Sequence, residues 1–144
     1  DEMLSEVDKV INDFDLFIST AAVSDYKPEE YEVQKIKKEK NTDNLNLELI
    51  TNKDILKHVS KDKGDLKVIG FAAETQNIIE NAKRKLNEKN LDLIIANDVS
   101  DPSIGFDSDE NEVYLITDEI EKKIDRVSKK KLSRSIIEFI ANYL

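Results

Sequence analysis

Two groups of lysines in this chain could supply cations to a bound polyanion. Lys35, Lys37, Lys38 and Lys40 fall within six residues, and Lys85 and Lys89 are four apart with Arg84 beside them. On a helix, a four-residue spacing puts two ammoniums on one face, where they repel by about 0.2–0.5 kcal/mol unless an anion lies between them. Three acidic residues, Asp25, Glu74 and Asp98, follow short apolar runs. Such carboxylates can accept hydrogen bonds from ribose hydroxyls or amino groups, or hold Mg2+ through water. Each feature also has an ordinary counterpart. Lysine runs guard edge strands, the Lys85 and Lys89 face can be a solvated helix surface paired with Glu88 or acidic neighbours, and aspartates commonly cap helices and turns.

Composition narrows the chemistry. The 144 residues fit one domain, read as residues 1–144, with 39% hydrophobic residues clustered in runs that can build a core. A net charge of -9, from 22 basic and 31 acidic residues, opposes nucleic acid and anionic membrane, so a bound anion must meet a local cation cluster. The absence of cysteine excludes disulfides and thiolate metal sites and is compatible with a cytoplasmic location. The single histidine, His58, excludes His-rich metal centres, weakens any Ser-His-Asp triad, and reads as structural. No apolar run approaches the roughly 20 residues that span a bilayer. The chain begins DEML rather than with methionine, which suggests a piece of a longer protein.

The elements that must position these residues follow from periodicity. Residues 3–14 put Met3 or Leu4, Val7, Val10, Ile11 and Phe14 on one helical stripe. LFISTAAV (16–23), LKVIGFAA (66–73) and LDLIIAND (91–98) read as buried strands, and LNLELI (45–50) as a half-exposed one. Short and long amphipathic helices are expected around Ile55–Val59, over 76–90 and over 129–144, with Thr51 or Asn52 as a cap for the first. EVYLIT (112–117) and KKIDRV (122–127) resemble a hairpin. Helix and buried strand in alternation predict an α/β fold: a three-layer, Rossmann-like, mostly parallel sheet with flanking helices, a lid segment over about 25–44 and a β-hairpin extension. Ligands of such sheets bind beyond the carboxyl ends of the strands. Those ends carry Ser19 to Asp25, Phe71 to Thr75 and Asn97 to Ser100.

No GxGxxG or GxxxxGKS is present, and none of Gly64, Gly70 and Gly105 opens a helix as a phosphate nest. Side-chain cations must therefore supply most of any phosphate neutralisation. By spacing alone, the lysine block fits a charged edge slightly better than a lid, and Lys85 with Lys89 fits a solvated face better than a binding site.

The ordered set AAVSDYKP, KIKK, LELITNKDIL, GFAAET, LDLIIANDVS and GFDSDENEVYLI is far more specific than any member of it. Across residues 15–117 it resembles the phosphopantothenoylcysteine synthetase family, the carboxy-terminal part of a bifunctional coenzyme A biosynthesis flavoprotein. The resemblance implies a ligase joining 4'-phosphopantothenate and L-cysteine through an acyl-CMP intermediate, with CTP as co-substrate and Mg2+ as helper. FMN is implied only if a decarboxylase is fused upstream. It further implies that Lys35, first of KIKK, is a catalytic lid lysine over the nucleotide. Ser19, Thr20, Ala21 and Asp25 would line the nucleotide pocket, and Lys53, Asp54, Ile55 and Leu56 would contact CTP. Phe71 would lie against the nucleotide, with Lys85 and Lys89 in the CTP site. No metal ligand is assigned. A homodimer is implied, with residues 45–50 and the 112–127 hairpin as candidate contacts. The family's Gly-rich turn and Asn-containing phosphopantothenate loop have no counterpart in the 144 residues, so weakened CTP affinity and no catalysis by the fragment alone are expected. The competing reading is a non-catalytic Rossmann-type nucleotide-binding or regulatory module. A nucleic-acid module is disfavoured by the charge and the few aromatics near the lysine runs.

Overall fold

The computed structural model of the chain describes residues 1–37, 44–100 and 108–144. Along the chain run α1 (Glu2–Val10), a 3-10 turn (Ile11–Asp13), β1 (Leu16–Ser19), β2 (Tyr26–Pro28), β3 (Leu49–Thr51), α2 (Ile55–Lys61), β4 (Lys67–Glu74), α3 (Ile78–Glu88), β5 (Leu93–Asp98), β6 (Glu110–Ile116), β7 (Glu121–Ser128) and α4 (Lys129–Tyr143). They fall into two compact units, residues 1–20 with 55–144, and residues 21–54.

The larger unit holds a five-stranded sheet in the order β1-β4-β5-β6-β7. β1, β4 and β5 run parallel, while β6 and β7 add antiparallel at the end. Alternation along the strands sends side chains to two faces. Val68, Ala72, Ile94, Ala96 and Ile116 pack with Leu4 of α1, Ile55, Leu56 and Val59 of α2, and Ala82 and Leu86 of α3. Ile69, Leu93, Ile95, Val113 and Leu115 pack instead with Leu132, Ile136, Phe139 and Ile140 of α4. The result is the expected three-layer α/β arrangement. The central strand β5 is buried from Leu93 to Ala96, as its unbroken apolar run requires.

The hairpin closes through Thr117, whose Oγ1 accepts the Glu119 and Ile120 N–H groups at 3.2 and 2.9 Å. α4 begins despite three lysines in its first turn because the Ser128 hydroxyl caps it, accepting the Lys131 N–H at 3.3 Å.

The smaller unit contains a two-stranded antiparallel ribbon, Tyr26↔Thr51 to Pro28↔Leu49. Its β3 covers Leu49–Thr51 where residues 45–50 were expected, because only three residues of β2 are available to pair. β1 likewise ends at Ser19 rather than at residue 23, since the chain leaves the first unit after Thr20. Asn52 is engaged within the ribbon: its backbone N–H donates to the Asp25 carbonyl (2.7 Å) and its Nδ2 to the Ser24 carbonyl (3.1 Å). The lid expected over about 25–44 falls in this unit, apart from residues 38–43. Lys38 and Lys40, like the 101–107 stretch with Pro102 and Gly105, lie outside the described residues.

Candidate functional site

In the larger unit the carboxyl ends of the parallel strands are staggered. Ser19, the last residue of β1, is in register with Gly70, and β4 runs on through Phe71 to Glu74, which is in register with Asp98 at the end of β5. Parallel register partners share a face, so the Glu74 and Asp98 carboxylates leave the sheet on the side covered by α3. Asp98 Oδ1 accepts the backbone N–H and the hydroxyl of Ser100, at 2.8 and 2.6 Å, which is the turn-capping role that aspartate often takes.

Glu74 does not cap α3. Its Oε1 lies 2.6 Å from Lys85 Nζ, and its Oε2 accepts from Asn81 Nδ2 at 3.3 Å. The Lys85 approach is close but lies off the direction of a well-formed hydrogen bond, so Oε1 is buried with an ion-pair partner and no hydrogen-bond donor. Asn81 is anchored in turn by a 2.9 Å bond to the Gln76 carbonyl. Asn81 and Lys85 are four residues apart on α3, and both face Glu74. The i, i+4 spacing puts Asn81 and Lys85 on one face, but only the return of α3 over the end of β4 brings Glu74 to it.

Lys85 and Lys89 are not used alike. Lys89 is the C-cap of α3, and its carbonyl accepts a short hydrogen bond from the buried Ser60 hydroxyl at the end of α2. The helix stops there because Asn90 takes a left-handed conformation, φ +50°, allowing Leu91 N–H to reach Leu86 O at 3.0 Å and Asn90 N–H to reach Asn87 O at 3.2 Å. The Asn90 side chain also donates to the Ser60 carbonyl at 3.0 Å, so α2 and α3 are clasped at their ends. Arg84 pairs with Glu88 on the exposed surface.

Of the other residues singled out in the sequence, Phe71 is 41% exposed although β4 is otherwise largely buried around it. Thr20 is exposed next to half-buried Ser19. Ile55 and Leu56 are core residues packed under the sheet, each 9% exposed. Ala21, Asp25, Lys35, Lys53 and Asp54 belong to the smaller unit, and all five are exposed. His58 joins α2 to α1 through a 3.0 Å contact between its Nε2 and Asp8 Oδ1, in keeping with a structural role.

At the opposite, amino end of the parallel strands, Asp92 gathers Lys63 Nζ (2.7 Å), Lys67 Nζ (3.5 Å) and the Val68 N–H (2.8 Å). Burial on its own would raise the Asp92 pKa. The Lys63 and Val68 hydrogen bonds and the two lysine charges outweigh it and hold the carboxyl below its ordinary value. Nothing in the local sequence pattern marked this hub, because Asp92 lies 24 to 29 residues along the chain from Lys63, Lys67 and Val68. Among the described residues no helix is long and apolar enough to cross a membrane.

Comparison with known proteins gives these positions a context. The profile of the DNA/pantothenate metabolism flavoprotein C-terminal domain matches residues 1–144. The chain is 39% identical over 140 residues to the coenzyme A biosynthesis bifunctional protein CoaBC of Vibrio cholerae, and 38% identical over 141 residues to that of Escherichia coli. Each alignment takes in 96% of this chain and 35% of the relative, so the chain spans about a third of the length of these curated proteins. The crystal structure of the C-terminal domain of a CoaBC protein superposes with a TM-score of 0.75 at 33% identity, covering 96% of this chain and 59% of that one. The DNA/pantothenate metabolism flavoprotein from Streptococcus pneumoniae shares the fold, with a TM-score of 0.74 at 22% identity over 99% of this chain and 67% of that one. These are the flavoproteins to which the ordered motifs pointed. The chain belongs to the DNA/pantothenate metabolism flavoprotein C-terminal domain family.

Proposed function

We propose that this chain forms part of a CTP-dependent ligase that joins 4'-phosphopantothenate to L-cysteine in coenzyme A biosynthesis. The observation that carries the reading is the family match along the whole chain, together with relatives named for coenzyme A biosynthesis. Both compact units are read as one synthetase domain, with residues about 25–44 as its lid, acting in the cytoplasm.

The chemistry runs in two displacements. A carboxylate oxygen of 4'-phosphopantothenate attacks the α-phosphorus of CTP, the bond from that phosphorus to the bridging oxygen breaks, and pyrophosphate leaves with the electron pair. The amine of cysteine then attacks the acyl carbon of the acyl-CMP, CMP leaves, and the nitrogen gives up a proton to become the amide. Both leaving groups are anions, so the main demand on the protein is positive charge where negative charge develops.

Exposed Phe71 supplies an aromatic face for the base, and Ser19, Thr20, Ala21 and Asp25 line the nucleotide. The backbone from Lys53 through Asp54, Ile55 and Leu56 contacts it as well. Lys85 and Lys89 neutralise phosphates, and Lys35 brings a further ammonium to the departing pyrophosphate. Among the described residues no group of three or more His, Cys, Asp and Glu could form a metal cage. Mg2+ would enter on the triphosphate, since this ion keeps several waters and takes only one or two carboxylates. Asp98, at the end of β5 and holding the Ser100 turn, would meet that water shell, while Glu74 is engaged with Lys85. Bound there, Mg2+ would withdraw charge from the phosphates.

A homodimer accompanies this reading. Leu45, Leu47 and Leu49 are 57–64% exposed on and beside the short ribbon, and a two-stranded ribbon is marginal alone, so a second copy is the proposed cover.

Pyrophosphate release on mixing the protein, joined to the remaining part of its relatives' synthetase domain, with CTP, Mg2+ and 4'-phosphopantothenate tests the ligase, followed by CMP release on adding cysteine. The reading requires the first to depend on phosphopantothenate and the second on cysteine. Release that ignores phosphopantothenate, or CTP binding without any release by the protein joined to the remaining part of its relatives' synthetase domain, would sink it.

A further inference from the structure

The Glu74–Lys85 pair differs from the surface ion pairs around it. Arg84 and Glu88 are each 55% exposed, whereas the Glu74 side chain is only 11% exposed and Lys85 33%. A carboxylate in that position needs a compensating cation, and the bonds to Asn81 supply orientation but no charge. Asp98, its register partner on β5, puts a second carboxylate on the same face. Lys85 supplies that cation for Glu74. A lysine that binds phosphate must leave or share such a partner when the ligand arrives.

We infer that Glu74 is a positioning and charge-compensating residue for Lys85: it holds the ammonium at the carboxyl end of β4 while no anion is bound, and shares it with a phosphate when one is. The inference rests on the nucleotide reading above insofar as it takes a triphosphate to be the anion. Glu74 fixes where the ammonium is, and its charge opposes the incoming phosphates. Removing that charge while keeping the shape should strengthen ground-state binding. A glutamate that served only the fold would give the opposite result or none.

The test compares wild type, Glu74→Gln and Glu74→Gln/Lys85→Gln by calorimetric titration, with Mg-CTP, Mg-ATP and inorganic triphosphate as separate ligands at two or more salt concentrations. The single variant leaves only a one-third-exposed lysine unpaired, and the double leaves no buried charge, so both should fold; thermal unfolding of each checks this. Glu74→Gln is expected to bind Mg-CTP and inorganic triphosphate roughly three- to tenfold more tightly, with a steeper salt dependence. The double variant should lose that gain and bind no more tightly than wild type. Unchanged or weaker binding by Glu74→Gln, or a gain that survives in the double variant, overturns the inference. Gains for inorganic triphosphate with no preference for CTP over ATP would leave Glu74's role standing and remove the cytidine part of the functional reading. No binding of any of the three ligands to wild type would remove both.

Discussion

The Cδ2 methyl of Leu56 stands 2.7 Å from where a β-carbon on Gly70 would be, and Leu91 Cδ1 stands 3.1 Å from the same point. Gly70 is thus the gap in β4 that lets α2 lie against the sheet, directly after the segment expected to contact nucleotide. Replacing Gly70 with Ala must push Leu56 and Leu91 in a packed core and should destabilise by about 1–3 kcal/mol. Denaturant unfolding measures this. Leu56→Val in the same chain should recover part of the loss, because the two changes share one contact. Strict additivity of the two would refute the contact as the cause.

Asp92 gives a pH-dependent expectation. Its folded-state pKa lies below the ordinary aspartate value, so its contribution to stability is fully present above that ordinary value. It is lost as pH falls through the lower, folded value. Asp92→Asn also strands Lys63, whose side chain is 15% exposed, and should cost about 2–3 kcal/mol near neutral pH. Unfolding free energies of wild type and variant should therefore converge on acidification below about pH 4, and not between about pH 5 and 8. A difference that persists at about pH 2 would mean that the lost hydrogen bonds, rather than the charge, matter.

The layers of this fold were legible because β4 and β5 are apolar on both faces and the helices keep a 3.6-residue stripe. The carboxyl ends of β4 and β5 followed from the same reasoning to within a residue, whereas β1 stops at Ser19 instead of residue 23. The ribbon was not legible: β2 is only Tyr26–Pro28, too short for any alternation to register, and its pairing with β3 spans more than 20 residues. The partner of Lys85 was missed for a related reason. Glu74 and Lys85 are each ordinary in their own segments, and only the return of α3 over β4 makes one compensate the other. Spacing can put two lysines on one face, but it carries no information about a carboxylate arriving from a neighbouring strand.

Phe71 separates a ligand role from a packing role. At 41% exposure it contributes little to the core, whereas Ile69, two residues earlier on the same face, is fully buried. Phe71→Ala should change stability by less than about 1 kcal/mol while Ile69→Ala costs about 2–5 kcal/mol. If the ring stacks on cytosine, Phe71→Ala should weaken CTP binding by about 1–3 kcal/mol. Nucleotide titration alongside denaturation checks both halves. A variant that is destabilised yet binds CTP normally would return Phe71 to a structural role.

Lys35 is the sharpest test of the ligase chemistry. The residue is exposed, so Lys35→Gln should leave the unfolding free energy within about 0.5 kcal/mol of wild type. Its proposed work is confined to the moment when pyrophosphate separates, because that is when charge grows on the bridging oxygen. An interaction made only there lowers turnover without changing ground-state affinity. Single-turnover pyrophosphate release should therefore slow by roughly 10²–10³-fold in Lys35→Gln, the range seen when one charge-stabilising donor is removed from a transition state. CTP affinity, measured separately, should change by less than about threefold. Equal losses in both would make Lys35 a simple binding residue, and no loss in either would favour a nucleotide-binding module that performs no ligation.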